Sequence, residues 1–83
     1  MNKYDMWVHK NPLRQWRVAD DGRSLTQYRV AAKLKCSPQI VRLWECGAST
    51  PNQRNFPKIA RLLGIEESKL RSAWDRWLGK CPV

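Results

Sequence analysis

One histidine, His9, and three scattered cysteines leave this chain almost without the side chains that carry covalent or metal chemistry. Cys36, Cys46 and Cys81 are odd in number and far apart, so no disulfide framework and no CxxC zinc site can be written with them, and His9 does not complete a ligand spacing. Reduced thiols and no metal are the expectation. No nucleophile, base and orienting group can be assembled either, so no catalysis, no cofactor and no small-molecule substrate are expected. No apolar run approaches the roughly 18 residues needed to span a bilayer, and "MNKYDMWVHK" lacks the apolar centre of a signal peptide. The chain is therefore read as soluble, cytoplasmic and free of membrane. Carboxylates are scarce as well: seven Asp and Glu stand against 16 Lys and Arg, a net charge of +9.

That imbalance favours a polyanionic partner and says nothing about fold. Nucleic acid is the first candidate and an anionic membrane the second. The bases run from Lys3 to Lys80 without a polybasic block, which suits a folded basic surface better than a tethering tail. Eighty-three residues suffice for one small core and are too few for an enzyme with a deep cleft, so a binding module is expected.

Punctuation by proline and glycine predicts an all-α domain of five short helices. Asn11 caps and Pro12 opens the first, over Pro12 to Ala19. The turn-forming "DDGRS" follows; Thr26 caps a second helix, "QYRVAAKL", whose Val30, Ala31 and Leu34 share a face. After Lys35 and Cys36, Ser37 caps and Pro38 opens a third, which ends near Gly47. Steps of about 100° put Val41 and Trp44 inward and Gln39, Leu43 and Cys46 outward, with Arg42 beside them. A polar loop, "GASTPNQRN", leads to a fourth helix with Pro57 in its first turn, Ile59, Leu62 and Leu63 inward, and Gly64 as its stop. The last, "ESKLRSAWDRWL", carries Leu70, Trp74, Trp77 and Leu78 at helical spacing. Residues 1–10 form the N-terminal segment, a mobile arm or a short strand through the alternation of Tyr4, Met6 and Val8, and 11–83 form the domain proper.

Leu13 and Arg17, "LTQYRVAAKL", "SPQIVRLWECG", "TP" and "FPKIARLLGI", in this order and spacing, resemble the helix-turn-helix family of phage Cro and repressor proteins, the XRE-like family. The resemblance implies a lambda-repressor-like architecture in which the Thr26–Leu34 helix lies across the DNA backbone and the Ser37–Cys46 helix enters the major groove. Two features depart from the family pattern. Lys35 stands where glycine is usual, which asks a lysine to take a left-handed conformation at about 1 kcal/mol. The "DDGRS" connection is two or three residues longer, placing Arg23 on an extended loop.

By the same resemblance, Gln27 contacts a phosphate and braces Gln39, which reads a base, as a glutamine does in pairing with adenine. Arg42, Arg54, Arg29 and Lys33 are the candidate phosphate grip, against the plainer reading of solvated surface charge. Leu43 is placed to meet a thymine methyl, and Ser37 and Pro38 are caps first and contacts second. Trp16 and Trp44 face inward as core. Arg17 is expected to pair with Glu45. Trp74 and Trp77, with Leu70 and Leu78, offer more apolar surface than a small monomer covers, which points to a dimer interface. The resulting expectation is a sequence-specific regulator of double-stranded DNA, a phage or bacterial repressor acting as a homodimer on a palindromic operator. The alternatives are an antitoxin or restriction-modification controller on the same fold, or a protein–protein interaction module that does not bind DNA.

Overall fold

The computed structural model describes residues 2–19 and 25–82. Six helices follow one another: α1 (Lys3–His9), α2 (Pro12–Arg17), α3 (Gln27–Leu34), α4 (Pro38–Glu45), α5 (Asn55–Leu63) and α6 (Glu67–Gly79). Among the described residues there is no strand. The connection 20–24, with Arg23, lies outside the described residues.

The first helix is a correction to the expected arm or strand. Asn2 caps it, its Oδ1 accepting from the Asp5 N–H at 2.7 Å, and Asp5 adds negative charge in the first turn. Tyr4 and Trp7 then share a face at i, i+3, whereas Met6, the middle residue of the apparent alternation, is 50% exposed. Capping and one buried tryptophan outweigh a period-two pattern of which only Val8 packs against the core.

α3 packs on α4, α5 on α6, and α2 on both α5 and α6. Leu13, Val30, Val41, Ile59, Leu70 and Trp74 are fully enclosed, and Ala31, with almost no side chain, lets α3 and α4 approach closely. The stripe on α6 is also core. Leu70 and Trp74 are 0% exposed and Trp77 5%, with Leu78 half-buried against them. Phe56 meets Trp74 edge-on at 5.8 Å, and Trp77 stacks on Trp7 at 4.1 Å with the rings 3° from parallel. The two indoles exchange hydrogen bonds: Trp7 Nε1 donates to the Trp77 carbonyl at 2.5 Å, and Trp77 Nε1 to the Trp7 carbonyl at 2.7 Å. The apolar surplus that argued for a dimer interface at Leu70, Trp74, Trp77 and Leu78 is thus consumed inside one chain: α5 and α2 pack along α6, and α1, absent from a five-helix reading, covers Trp77 with Trp7.

The turn between α3 and α4 is closed by Lys35 in the left-handed region, φ 57° and ψ 45°, with the Cys36 N–H reaching back to the Ala31 carbonyl at 3.0 Å. The end of α5 has the same geometry with a glycine, Gly64 at φ 72°, and the Ile65 N–H on the Ala60 carbonyl at 3.1 Å. Two equivalent helix stops therefore differ by the strain of one Cβ. Lys35→Gly is expected to stabilise the domain by about 1 kcal/mol, a rise in Tm of about 4–8 °C at this chain length. Thermal melting beside Lys35→Ala, which keeps the Cβ and should show no such gain, checks the assignment.

Candidate nucleic-acid interface

α4 begins on a double signal: Ser37 Oγ accepts from the Ile40 N–H at 3.3 Å, and Pro38 takes the first position, where no N–H is needed. Val41, Trp44 and Glu45 are buried. Gln39, Ile40, Arg42 and Leu43 face solvent, Ile40 at 40% and Leu43 at 38% exposure. Ile40 is an addition to the sequence reading. It lies one 100° step from Gln39, on the flank of the helix, and its position in the period was the only available signal.

α3 presents its first turn beside this face. Thr26 Oγ1 caps it by accepting from the Arg29 N–H at 3.1 Å. Tyr28, in that turn, is 73% exposed, the most open of the large apolar side chains among the described residues, and the sequence reading passed over it. Arg29 and Lys33 are exposed on the same helix. Gln27 behaves differently from expectation. Its amide Nε2 donates to Glu45 Oε1 at 3.2 Å, so its brace runs to the far end of α4 rather than to Gln39.

Glu45 collects three side-chain donors. Arg17 Nε reaches Oε2 at 2.9 Å and Nη2 reaches Oε1 at 2.8 Å, a two-pronged pairing, with Gln27 as the third. The remaining Arg17 nitrogen, Nη1, donates to the Leu25 carbonyl at 3.0 Å, while the Leu25 N–H returns to the Arg17 carbonyl at 3.0 Å. The pair is nearly dry, with side chains 12% and 4% exposed, and joins α2, the entry to α3 and the end of α4.

The loop after α4 is tied by the Ser49 N–H on the Leu43 carbonyl at 3.2 Å, and Asn52 Oδ1 accepts from Arg54 and Asn55 N–H at 2.9 and 3.0 Å. Asn52 thus closes the turn that leads into α5, and Arg54, at the cap position, leaves its side chain exposed at the head of the helix. A depression between α3 and α5 is lined by Lys33, Lys35, Lys58 and Arg61 over Leu34 and Leu62. Burial pushes the Cys36 thiol up, against the opposing pull of Lys58. From Leu25 to Ile65 the chain carries seven bases and one acid, Glu45. Because that acid is buried in its pairing with Arg17, this whole stretch offers solvent no carboxylate. Among the described residues, no group of His, Cys, Asp and Glu is placed to hold a metal ion, and no helix is long and apolar enough to cross a membrane.

A family model described as helix-turn-helix matches residues 13–70, which contain α2 from its second residue, α3 to α5 and the opening of α6. The chain belongs to the XRE-like helix-turn-helix family. It is similar to an endothelial differentiation-related factor 1 homolog of Danio rerio, 38% identical over 58 residues, covering 66% of this chain and 40% of that protein. The homolog of that factor in Xenopus laevis is 34% identical over the same length and shares. A putative multi-protein-binding factor 1 of Yarrowia lipolytica is 41% identical over 44 residues, 53% of this chain and 29% of that protein. The chain thus spans two fifths or less of the curated relatives it matches. No solved structure matches it at a significant level. Within the matched segment α3 and α4 are the paired helices of the helix-turn-helix. α1, Trp74 and Trp77 lie outside the matched segment.

The network at Glu45 predicts an asymmetry between two ion pairs. Glu45→Ala strands a buried guanidinium and should cost up to about 3 kcal/mol. Glu67→Ala breaks an i, i+4 pair with Arg71 that is 36–40% exposed, and should stay within about 0.5 kcal/mol. Thermal or urea melts of both mutants check this; a Glu45→Ala protein melting within a degree or two of the parent rules out the structural role.

Proposed function

We propose that the domain is a sequence-specific reader of double-stranded DNA in transcription regulation. α4 enters the major groove, the first turn of α3 lies on the backbone, and Arg54 grips phosphate from the loop. The observation that carries this reading is the chemistry of the helix-turn-helix surface. A stretch with seven bases has its one carboxylate buried, while the exposed face of the paired helix combines an amide, a guanidinium and two aliphatic side chains. Those are the groups that read base edges and thymine methyls. Gln39 and Arg42 are the proposed base contacts, with Leu43 and Ile40 against methyl groups. Arg29, Lys33 and Tyr28 are the proposed backbone contacts; Gln27, turned to Glu45, positions the helix pair. Ser37 and Pro38 act as the cap that aims α4.

Neither the homodimer on a palindromic operator nor the phage or bacterial repressor is part of this reading. The apolar stripe that argued for the first is core, and the relatives that match come from two vertebrates and a yeast. A second reading has its own support. A relative is named for binding several proteins, and a groove of about 500 Å³ between α1 and α6 sets Met6, Pro12 and Ala73 beneath Lys3, Lys10, Arg76 and Lys80. Docking to other proteins through that groove leaves the α4 face free for DNA.

Selecting bound duplexes from a random pool supplies the preferred site. On it, Gln39→Ala is expected to lose roughly 1–3 kcal/mol while binding to scrambled DNA barely changes. Arg54→Ala should weaken all duplexes alike and reduce the slope of log affinity against log salt by roughly 0.9, the release accompanying one phosphate contact. Equal losses for Gln39→Ala on both duplexes mean that α4 does not read sequence through that residue. Charge-driven retention on heparin without a discrete footprint on any DNA points to the interaction module instead.

A further inference from the structure

The C-terminal end of α4 is held from outside the helix-turn-helix segment. A helix end leaves its last carbonyls without intrahelical partners, and one of eight residues has little cooperative stability with which to resist fraying. Here the Ser49 and Gly47 N–H groups reach the Leu43 and Trp44 carbonyls at 3.2 and 3.4 Å, and α1 and the residue that precedes α2 add partners from further away. The Tyr4 hydroxyl donates to the Cys46 carbonyl at 2.7 Å, and the buried Asn11 amide Nδ2 donates to the Trp44 carbonyl at 3.3 Å. Between them the Trp7 ring lies so close over Gly47, φ 81°, that a Cβ there would collide with Trp7 Cη2. Tyr4 and Trp7, one turn apart on α1, and Asn11, the cap of α2, thus all bear on residues 44–47. Tyr4 is in turn braced by Trp7, ring centroids 5.6 Å apart, and Trp7 is fixed by its stack and paired hydrogen bonds with Trp77.

We propose that Tyr4 is a positioning residue for DNA recognition: through the Cys46 carbonyl, α1 holds the last turn of α4, and with it Arg42 and Leu43, at the angle that reading requires. One turn is 3.6 residues, so the loss of order at Cys46 reaches Arg42 and Leu43 first. Gln39 is anchored at the other end by Ser37 and Pro38 and is insulated from it. The inference rests on the DNA-binding reading above and adds to it a residue from outside the matched segment.

Tyr4→Phe tests it, since Tyr4 is 40% exposed and the change removes one oxygen. In the DNA-free protein, amide hydrogen exchange over Leu43–Gly47 is expected to speed up roughly five-fold, as loss of one net hydrogen bond implies, with α5 and α6 unaffected. Affinity for the selected duplex should fall by a similar factor, non-additively with Arg42→Ala and additively with Gln39→Ala. Unchanged exchange in the last turn overturns the brace. Faster exchange with unchanged affinity, or equal coupling to Gln39 and Arg42, overturns the positioning role. A parent protein that binds no duplex overturns the reading on which the proposal stands, and the exchange experiment then reports on the brace alone.

Discussion

Burying Glu45 is the constraint on which the rest of the structure turns. A carboxylate taken out of water at the end of an eight-residue helix is costly unless it is paired and its lone pairs are filled. Arg17 meets both of its oxygens, and Gln27 adds a third donor. Satisfying that carboxylate fixes α2 against α4, draws the start of α3 to the end of α4, and ties the Leu25 backbone to Arg17 from both sides. It also has an electrostatic result. The only acid between residues 25 and 65 is withdrawn from the surface, so the exposed charges of that stretch are all positive.

The two ends of α4 are secured by different means. At the start, local chemistry is sufficient: a serine cap and a proline in the first position aim the helix. At the end, the anchoring is tertiary, from Tyr4, Trp7 and Asn11, and behind them the Trp7–Trp77 stack that joins α1 to α6. Aromatic stacking of this kind adds about 0.5–1.5 kcal/mol beyond area burial. The family-matched segment carries the groups that touch DNA in this account, and the helices flanking it carry the rigidity of the last turn.

Much of this was legible in the sequence, and what escaped has physical reasons. Asn11–Pro12, Thr26 and Ser37–Pro38 announce helix starts because their chemistry is local, and the left-handed Lys35 follows from the need for a tight stop between α3 and α4. The residues of the Arg17–Glu45 pair lay where the family resemblance put them. What failed was long-range. Asn2 was a readable cap, but nothing near it in sequence reveals that Trp7 covers Trp77, 70 residues away. Without that cover the α6 stripe looked like surplus surface. Gln27 was assigned a neighbour by analogy, whereas an amide close to a buried carboxylate is claimed by the stronger acceptor. Ile40 and Tyr28 received no assignment, because the exposure of an apolar side chain in a short helix depends on what packs beside it and not on its own type.

The central claim is that the outward face of α4, with the first turn of α3 beside it, is the surface that meets duplex DNA. Titrating the isotopically labelled domain with its selected duplex and following backbone amide shifts by NMR tests this most directly. The account predicts the largest perturbations at Gln39–Leu43 and Thr26–Arg29, a smaller set around Arg54, and near silence along the α1–α6 groove. Perturbations concentrated at Lys3, Lys10, Arg76 and Lys80, with α4 unmoved, would contradict it.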